Sequence, residues 1–115
     1  MVHRYSIKPL SVNEAWQGRR FKTETYKTYS KELALKLKPI KIDFKERLKV
    51  DMVFGFSSHG SDIDNPIKPI LDIIQKKYGI NDNKIYEMNL KKEIVPKGKE
   101  FIEIKINELH QPITQ

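Results

Sequence analysis

The stretch that decides the fold is NPIKPILDIIQKKYG, residues 65–79. Its apolar residues recur at the i, i+3, i+4, i+7 and i+11 positions of an amphipathic helix, and they are Ile67, Ile70, Leu71, Ile74 and Tyr78. Asn65 suits the N-cap, Pro66 suits the first helical position, and Gly79 suits the left-handed residue that follows a helix. The pattern therefore predicts a helix over Pro66–Tyr78.

The segments on either side of this helix predict a sheet. Upstream, Lys49–Phe56 is rich in β-branched and aromatic residues, which is typical of a central and mostly buried strand. Downstream, Lys84–Ile94 and Glu100–Asn107 are predicted strands. We expect Pro96–Lys99 to join them as a hairpin with Gly98 in its turn.

The N-terminal half adds a short strand and a first helix to this plan. Tyr5–Leu10 is the predicted strand and Thr25–Lys38 the predicted helix, which Pro39 ends. The apolar face of that helix comprises Tyr26, Tyr29, Leu33 and Leu37, with Ala34 beside them. The order β, α, β, α, β, β predicts the α+β class, with a mixed β-sheet and two helices packed on it. We expect one small domain over residues 1–109 and a flexible tail over 110–115.

Charge is unevenly distributed along the 115 residues, although the net charge is +7. Residues 1–50 carry 13 Lys and Arg against 5 Asp and Glu, whereas residues 51–115 carry 9 against 10. A basic N-terminal half predicts a polyanionic partner. The absence of cysteine excludes thiol nucleophiles, disulfides and cysteine-ligated metals. No stretch is apolar enough for a membrane span, so we expect a cytoplasmic protein without a membrane partner.

Chemistry is concentrated in the stretch SDIDNPIK, residues 61–68. In an extended chain Asp62 and Asp64 would point to the same side and could share one hard cation. The alternative is that the two carboxylates only favour the start of the helix electrostatically. Lys68 lies in the first helical turn, where the helix dipole disfavours a cation, so it suits a phosphate-cleaving site. Its alternative role is an i, i+4 ion pair with Asp72.

A further carboxylate, Asp82, follows the second helix in the sequence Asn81-Asp82-Asn83. Spacing alone leaves two interpretations open for it. Asp82 reaches the first two aspartates only if the chain brings it back beside them, and otherwise it belongs to a local turn.

The chain resembles the RusA family of Holliday junction resolvases from about residue 5 to residue 107. The resemblance rests on Asp62-x-Asp64-Asn65-x-x-Lys68, Leu71-Asp72, Tyr78-Gly79 and Asn81-Asp82, together with Ser11-Val12-Asn13 and Arg19-Arg20-Phe21 near the N-terminus. It implies a homodimeric, Mg²⁺-dependent endonuclease that makes paired nicks in four-way DNA junctions. It also implies that Asp62, Asp64 and Asp82 are the essential aspartates and metal ligands and that Lys68 is the functional lysine. Oxygen ligands favour Mg²⁺ or Mn²⁺ over zinc, and no small-molecule cofactor is expected.

One departure from the family concerns the loop before the first aspartate. Several members carry a run of arginines there, whereas this chain has Ser57-Ser58-His59-Gly60-Ser61. We expect DNA to bind instead through basic residues of the N-terminal half, namely Arg19, Arg20, Lys22, Lys27 and Lys31. His59 is interpreted as an exposed loop residue rather than a ligand or general base. Tyr26 and Tyr29 are assigned to the core, while stacking of Trp16 and Phe21 on bases is left open.

Three other functions are compatible with parts of the sequence. The same chemistry would suit a nuclease selective for flaps or replication forks. A non-catalytic DNA-binding module would use the charge alone, and a small RNA-associated protein would leave the aspartates unexplained.

Overall fold

The computed structural model describes residues 2–11, 16–17, 21–43 and 45–109, with 16–17 and 21–22 described as backbone alone. The helices and strands, numbered in chain order, are β1 His3–Tyr5, β2 Trp16–Gln17, β3 Phe21–Lys22, α1 Glu24–Lys36, β4 Leu48–Phe56, α2 Ile67–Tyr78, β5 Ile85–Ile94 and β6 Phe101–Glu108. Four strands form a mixed sheet in the order β1-β6-β4-β5, and β2 pairs with β3 separately. The predicted α+β class is confirmed. The predicted flexible tail lies outside the described residues.

Strand β4 is the centre of the sheet. It pairs antiparallel with β6 on one side and parallel with β5 on the other. Its alternate residues Leu48, Val50, Met52 and Phe54 are at most 1% exposed. Both edges of β4 are hydrogen-bonded and one of its faces is fully buried. This position in the sheet explains why the strand is rich in apolar residues.

The predicted hairpin between β5 and β6 is wrong, because β4 lies between these two strands. The turn itself exists, since Gly98 has a φ of 93° and the Lys99 amide donates to the Pro96 carbonyl at 2.9 Å. The spacing of apolar residues indicates which face of a strand is buried, but it does not indicate which strand is its neighbour in the sheet. The mostly apolar β4 takes the interior position, whereas the more polar β5 takes an edge.

The parallel pairing of β4 with β5 requires a crossover, and α2 supplies it. Helix α2 starts at Ile67 rather than Pro66, and it buries Pro69, Ile70, Ile73 and Ile74. The buried stripe is thus centred closer to Ile73 than predicted. Gly79 ends the helix with a left-handed φ of 71°, as expected, because glycine adopts this conformation without steric cost.

Helix α1 packs beside α2 over the same face of the sheet and begins at a side-chain cap, where the Tyr26 amide donates to the Thr23 hydroxyl at 3.0 Å. Its predicted apolar face is confirmed, because Tyr26, Tyr29, Leu33 and Leu37 are all buried. The helix ends at Lys36, two residues before the predicted end. None of the described helices is long and apolar enough to cross a membrane.

The first predicted strand is shorter and lies earlier than expected. β1 spans His3–Tyr5 and pairs antiparallel with β6. At its end the Ile7 amide donates to the Tyr5 carbonyl at 2.9 Å, a tight turn that takes the chain away from the sheet. Ile7 and Leu10 are nevertheless buried, so the apolar pattern predicts their burial correctly but not their pairing.

Candidate active site and nucleic-acid interface

Asp62 and Asp64 lie between the end of β4 and the start of α2. Residues 63–66 form a turn, in which the Asn65 amide donates to the Asp62 carbonyl and the Ile67 amide to the Asp64 carbonyl. The extended geometry assumed for the pair is therefore wrong for this segment. The turn uses the backbone oxygens of both aspartates and leaves their side chains exposed to solvent.

The contacts give neither aspartate a side-chain cap on the helix, so their alternative role is at most the electrostatic one. Helix α2 has Pro66 at its N-cap position in a helical conformation, without any side-chain cap hydrogen bond. The expected cap by Asn65 is wrong as well. Within residues 2–11, 21–43 and 45–109, no hydrogen bond or ion pair joins the carboxylates of Asp62 and Asp64 or the ammonium of Lys68 to another group, including Asp72. All three charged groups are thus available to bind a ligand.

A cleft of about 190 Å³ opens beside Asp62. It is formed where the segment after β1, the loop after β4, the start of α2 and the start of β6 meet. Its walls comprise Lys8, Pro9, Ser11, Phe56, Ser57, Ser58, Ser61, Asp62, Asn65, Pro66 and Glu100. Asp64 and Lys68 are not part of its walls, so they lie outside this cleft on the exposed start of the helix.

Glu100 is the second carboxylate in the cleft walls. It accepts hydrogen bonds from the Ser57 hydroxyl at 2.7 Å and from the Gly98 amide at 2.9 Å. The Ser57 hydroxyl is the main reason that the pKa of Glu100 lies below its ordinary value, and the nearby charge of Lys8 contributes in the same direction. Glu100 thus fastens the start of the loop that precedes Asp62.

Asp82 lies at the opposite end of the sheet from Asp62 and Asp64. It belongs to a single 3-10 turn, Asp82–Lys84, immediately before β5, and the Asn81 side chain accepts from the Asn83 amide. Because β4 and β5 are parallel, the start of β5 lies beside the start of β4, whereas Asp62 follows the end of β4. The 9 residues of β4 span roughly 30 Å at about 3.3 Å per residue. The structure therefore does not bring Asp82 to the other two aspartates within one chain.

This arrangement determines how a metal would be held. Among the described residues, no three His, Asp or Glu side chains are close enough together to bind a metal ion as a group. Mg²⁺ does not need such a cage, because it keeps several waters and binds through one or two carboxylates plus substrate phosphates. Asp62 and Asp64, two exposed carboxylates without a partner among the described residues, fit that requirement, and their hard oxygen donors fit Mg²⁺ or Mn²⁺.

A basic groove runs between the two helices on the outer surface. Lys27 and Lys31 of α1 face Lys76 and Lys77 of α2 across it, above a floor that includes Ile73. The four lysines are exposed, and among the described residues only Lys27 of the four has an ion pair, at 3.5 Å to the exposed Glu24. Of the predicted DNA-binding residues, Lys27 and Lys31 thus lie together. Arg19 and Arg20 lie outside the described residues, as do the side chains of Lys22, Trp16 and Phe21.

The open face of the sheet has a different charge distribution. Three of its cations are paired with acids on neighbouring positions: Arg4 with Glu103 at 3.0 Å, Lys49 with Glu87 at 3.5 Å, and Lys91 with Glu93 at 3.6 Å. Lys105, on the same face, has no ion pair among the described residues. The groove thus brings together three lysines without an ion pair among the described residues, whereas Arg4, Lys49 and Lys91 of the open face each have an acidic partner.

Two residues near the site were not identified from the sequence. Lys92 on β5 donates to the backbone carbonyls of Ser61 at 2.6 Å and His59 at 3.2 Å, and Glu100 holds Ser57. Both lie 30 or more residues from Asp62 along the chain and act on backbone or hydroxyl groups, so no local motif marks them. His59 is exposed, as predicted, and it is the His59 carbonyl rather than the ring that binds Lys92.

Comparison with protein families gives a match over most of the chain. The family model described as endodeoxyribonuclease RusA matches residues 8–107, which is most of the chain and includes Asp62, Asp64, Lys68 and Asp82. Comparison with curated protein sequences gives no match.

The hydrogen bond between Ser57 and Glu100 gives a testable prediction. Ser57→Ala removes the main hydrogen bond that stabilises the Glu100 carboxylate, so the pKa of Glu100 should rise toward its ordinary value of 4.5. The measurement is a carboxyl-carbon NMR titration. Ser58→Ala is the matched control, since the Ser58 hydroxyl accepts from the Gly60 amide and has no bond to Glu100. An equal pKa of Glu100 in both variants would contradict the assignment.

Proposed function

The chain belongs to the RusA family of endodeoxyribonucleases, and from this premise we propose that it is an Mg²⁺-dependent homodimer that resolves four-way DNA junctions by paired nicks. The observation that carries the proposal is the state of three motif residues at the start of α2. Asp62, Asp64 and Lys68 are exposed, and the described residues provide no partner for their side chains. Charged groups without a hydrogen bond or ion pair among the described residues are available for substrate and metal.

Asp62 and Asp64 would hold the metal through their carboxylate oxygens. When bound, Mg²⁺ or Mn²⁺ would polarise the scissile phosphate and lower the pKa of a bound water. Lys68 would bind the same phosphate from the first turn of α2, where the positive end of the helix dipole also favours an anion. The chain would thus supply both the negative groups that bind the cation and the positive groups that bind the phosphate.

Asp82 enters this site only through a second copy of the chain. A two-fold axis that pairs the free edge of β5 with the same edge of a second copy makes the two strands antiparallel. The start of one β5 then lies beside the end of the other, which is the end nearest the loop before Asp62. With Asn89 on the axis, Glu87 of each copy would face Lys91 of the other. Each active site would then combine Asp62 and Asp64 with Asp82 of the partner subunit.

DNA would approach from the helix side. The groove lined by Lys27, Lys31, Lys76 and Lys77 offers a cluster of positive charge, whereas three cations of the open sheet face have acidic partners. Lys68, on the same helix as Lys76, lies about 12 Å from it along the helix axis at about 1.5 Å per residue. A DNA strand held in the groove would therefore continue toward the start of α2.

The shared active site can be tested by mixing two inactive variants. Asp62→Asn/Asp64→Asn and Asp82→Asn should each abolish cleavage while keeping junction binding, because ligand charge is needed for the metal and affinity comes mainly from phosphate contacts. A heterodimer of the two, purified through a different tag on each chain, should regain nicking at its one intact site. Each homodimeric variant is the control. An inactive heterodimer that still binds junctions would contradict a shared site, and wild-type turnover by any of these variants would remove its residue from the site.

Lys68→Ala should slow single-turnover cleavage by a factor on the order of 10² to 10³, with junction affinity changed much less. The reason is that the scissile phosphate carries additional negative charge only in the transition state, so its contact with Lys68 contributes to the rate more than to binding. Asp72→Asn is the control for a helix-surface ion pair and should leave the rate unchanged. The measurement combines cleavage rate, affinity and thermal midpoint on the same preparation, and near-normal cleavage by Lys68→Ala would leave Lys68 without a catalytic role.

DNA binding along the groove should show in the salt dependence of affinity. Lys76→Gln/Lys77→Gln should lower the slope of log affinity against log salt by about one for each phosphate that the variant no longer neutralises. Lys49→Gln/Lys105→Gln removes the same charge from the open sheet face and should leave the slope unchanged. Equal slopes for the two double variants would mean that DNA does not follow the groove.

A further inference from the structure

The loop that leads from β4 to Asp62, residues 57–61, is exposed along most of its length but fastened at both ends. At its start the Ser57 hydroxyl donates to Glu100, and just before it the Phe56 carbonyl accepts from the Val95 amide at 2.7 Å. At its end the Ser61 carbonyl accepts from the Lys92 ammonium at 2.6 Å. The internal contacts of the loop are weaker, with the Ser61 amide 3.3 Å from the Ser58 carbonyl.

The position of Lys92 separates it from the other lysines of the sheet. It lies on β5 beside the buried Phe54 of β4, on the face that packs against the helices, and is half-buried. Its neighbour Lys91 points to the open face and pairs there with Glu93. Lys92 has no carboxylate partner among the described residues and donates instead to two carbonyls, those of His59 and Ser61.

A lysine bonded to two backbone carbonyls constrains the path of the chain between them. Ser61 is bonded directly to Asp62 in the sequence, so the position of its carbonyl sets where the Asp62 backbone begins. Without this bond, the last fixed point before Asp62 would be Ser57, and the four residues between them would have only the bonds to Ser58. Such a segment would have to be ordered by the metal itself, at a cost in metal affinity.

We propose that Lys92 is a positioning residue that holds residues 59–61 so that Asp62 is placed for metal binding before the metal arrives. The inference rests on the proposed function for the role of Asp62, but the loop contact itself does not. Groups that orient metal ligands through hydrogen bonds commonly change metal affinity or activity by about 10- to 100-fold when they are removed. Lys92 would act in this way on the backbone of the ligand rather than on its carboxylate.

The test uses three variants of the full chain. Lys92→Met keeps an unbranched side chain beside Phe54 but removes the donor, and Lys92→Arg keeps a cationic donor. Lys105→Met removes the same charge from β6, on the open face of the sheet and away from the edge of β5. The first readout is amide hydrogen exchange over residues 57–62 without metal. The second is the Mg²⁺ concentration that gives half-maximal single-turnover cleavage of a four-way junction. The thermal midpoint of each variant is measured first, and Lys92→Gln replaces Lys92→Met if the latter does not fold.

Lys92→Met is expected to exchange faster over residues 57–62 and to need about 10- to 100-fold more Mg²⁺, with the rate at saturating Mg²⁺ changed only a few-fold. Lys92→Arg should restore most of the exchange protection and most of the Mg²⁺ affinity, and Lys105→Met should match the wild type. If Lys92→Met lowers the thermal midpoint but needs no more Mg²⁺ than the wild type, the residue only stabilises the fold, and the inference is overturned. So would unchanged exchange in Lys92→Met. If Asp62→Asn cleaves normally, the proposed function fails, whereas the exchange result still reports on the loop.

Discussion

Pairing of β4 along both of its edges is the constraint on which the rest of the structure depends. Its apolar face fills the core, and its parallel pairing with β5 obliges the chain to cross the sheet through α2. That crossover places the end of β4 and the start of β5 at opposite ends of the sheet. The turn that carries Asp62 and Asp64 follows the end of β4, and the turn that carries Asp82 precedes the start of β5. The separation of Asp82 from Asp62 and Asp64 is therefore a consequence of the fold rather than of loop conformation.

The distribution of bonded and unbonded charge separates structural from functional residues. On the open face of the sheet, cations such as Arg4 and Lys49 have acidic partners nearby. At the start of α2 and along the groove between the helices, the described lysines lack such partners or, like Lys27, have only an exposed one. Exposed ion pairs contribute little to stability, so an excess of free cations on one side costs the fold little. It does provide a surface for a polyanion.

The sequence predicts the elements of the fold better than their arrangement. The predictions of the helices, the central strand and the left-handed Gly79 are correct, because the local sequence carries the information for each. The spacing of apolar residues indicates the helices and the strand, and the need for a left-handed backbone indicates the glycine. The predicted hairpin is wrong because the choice of neighbouring strand depends on the whole sheet. Similarly, the motif from Asp62 to Lys68 can be recognised in the sequence because its residues are close together. Its link to Asp82 comes from the family resemblance and not from sequence spacing. Lys92 has no signature, since its acceptors are backbone carbonyls that every residue has.

Whether this chain is a metal-dependent junction nuclease is decided most simply by its cleavage of four-way, three-way, flap and linear duplex DNA side by side, with and without Mg²⁺. We expect paired, symmetric nicks in the four-way junction that require Mg²⁺, with little cutting of linear duplex, because two active sites related by a two-fold axis match a substrate of the same symmetry. Single nicks confined to flaps would assign the same chemistry to another substrate. Binding of all four DNAs without cleavage of any, at any Mg²⁺ concentration, would contradict the assignment of this chain as a nuclease.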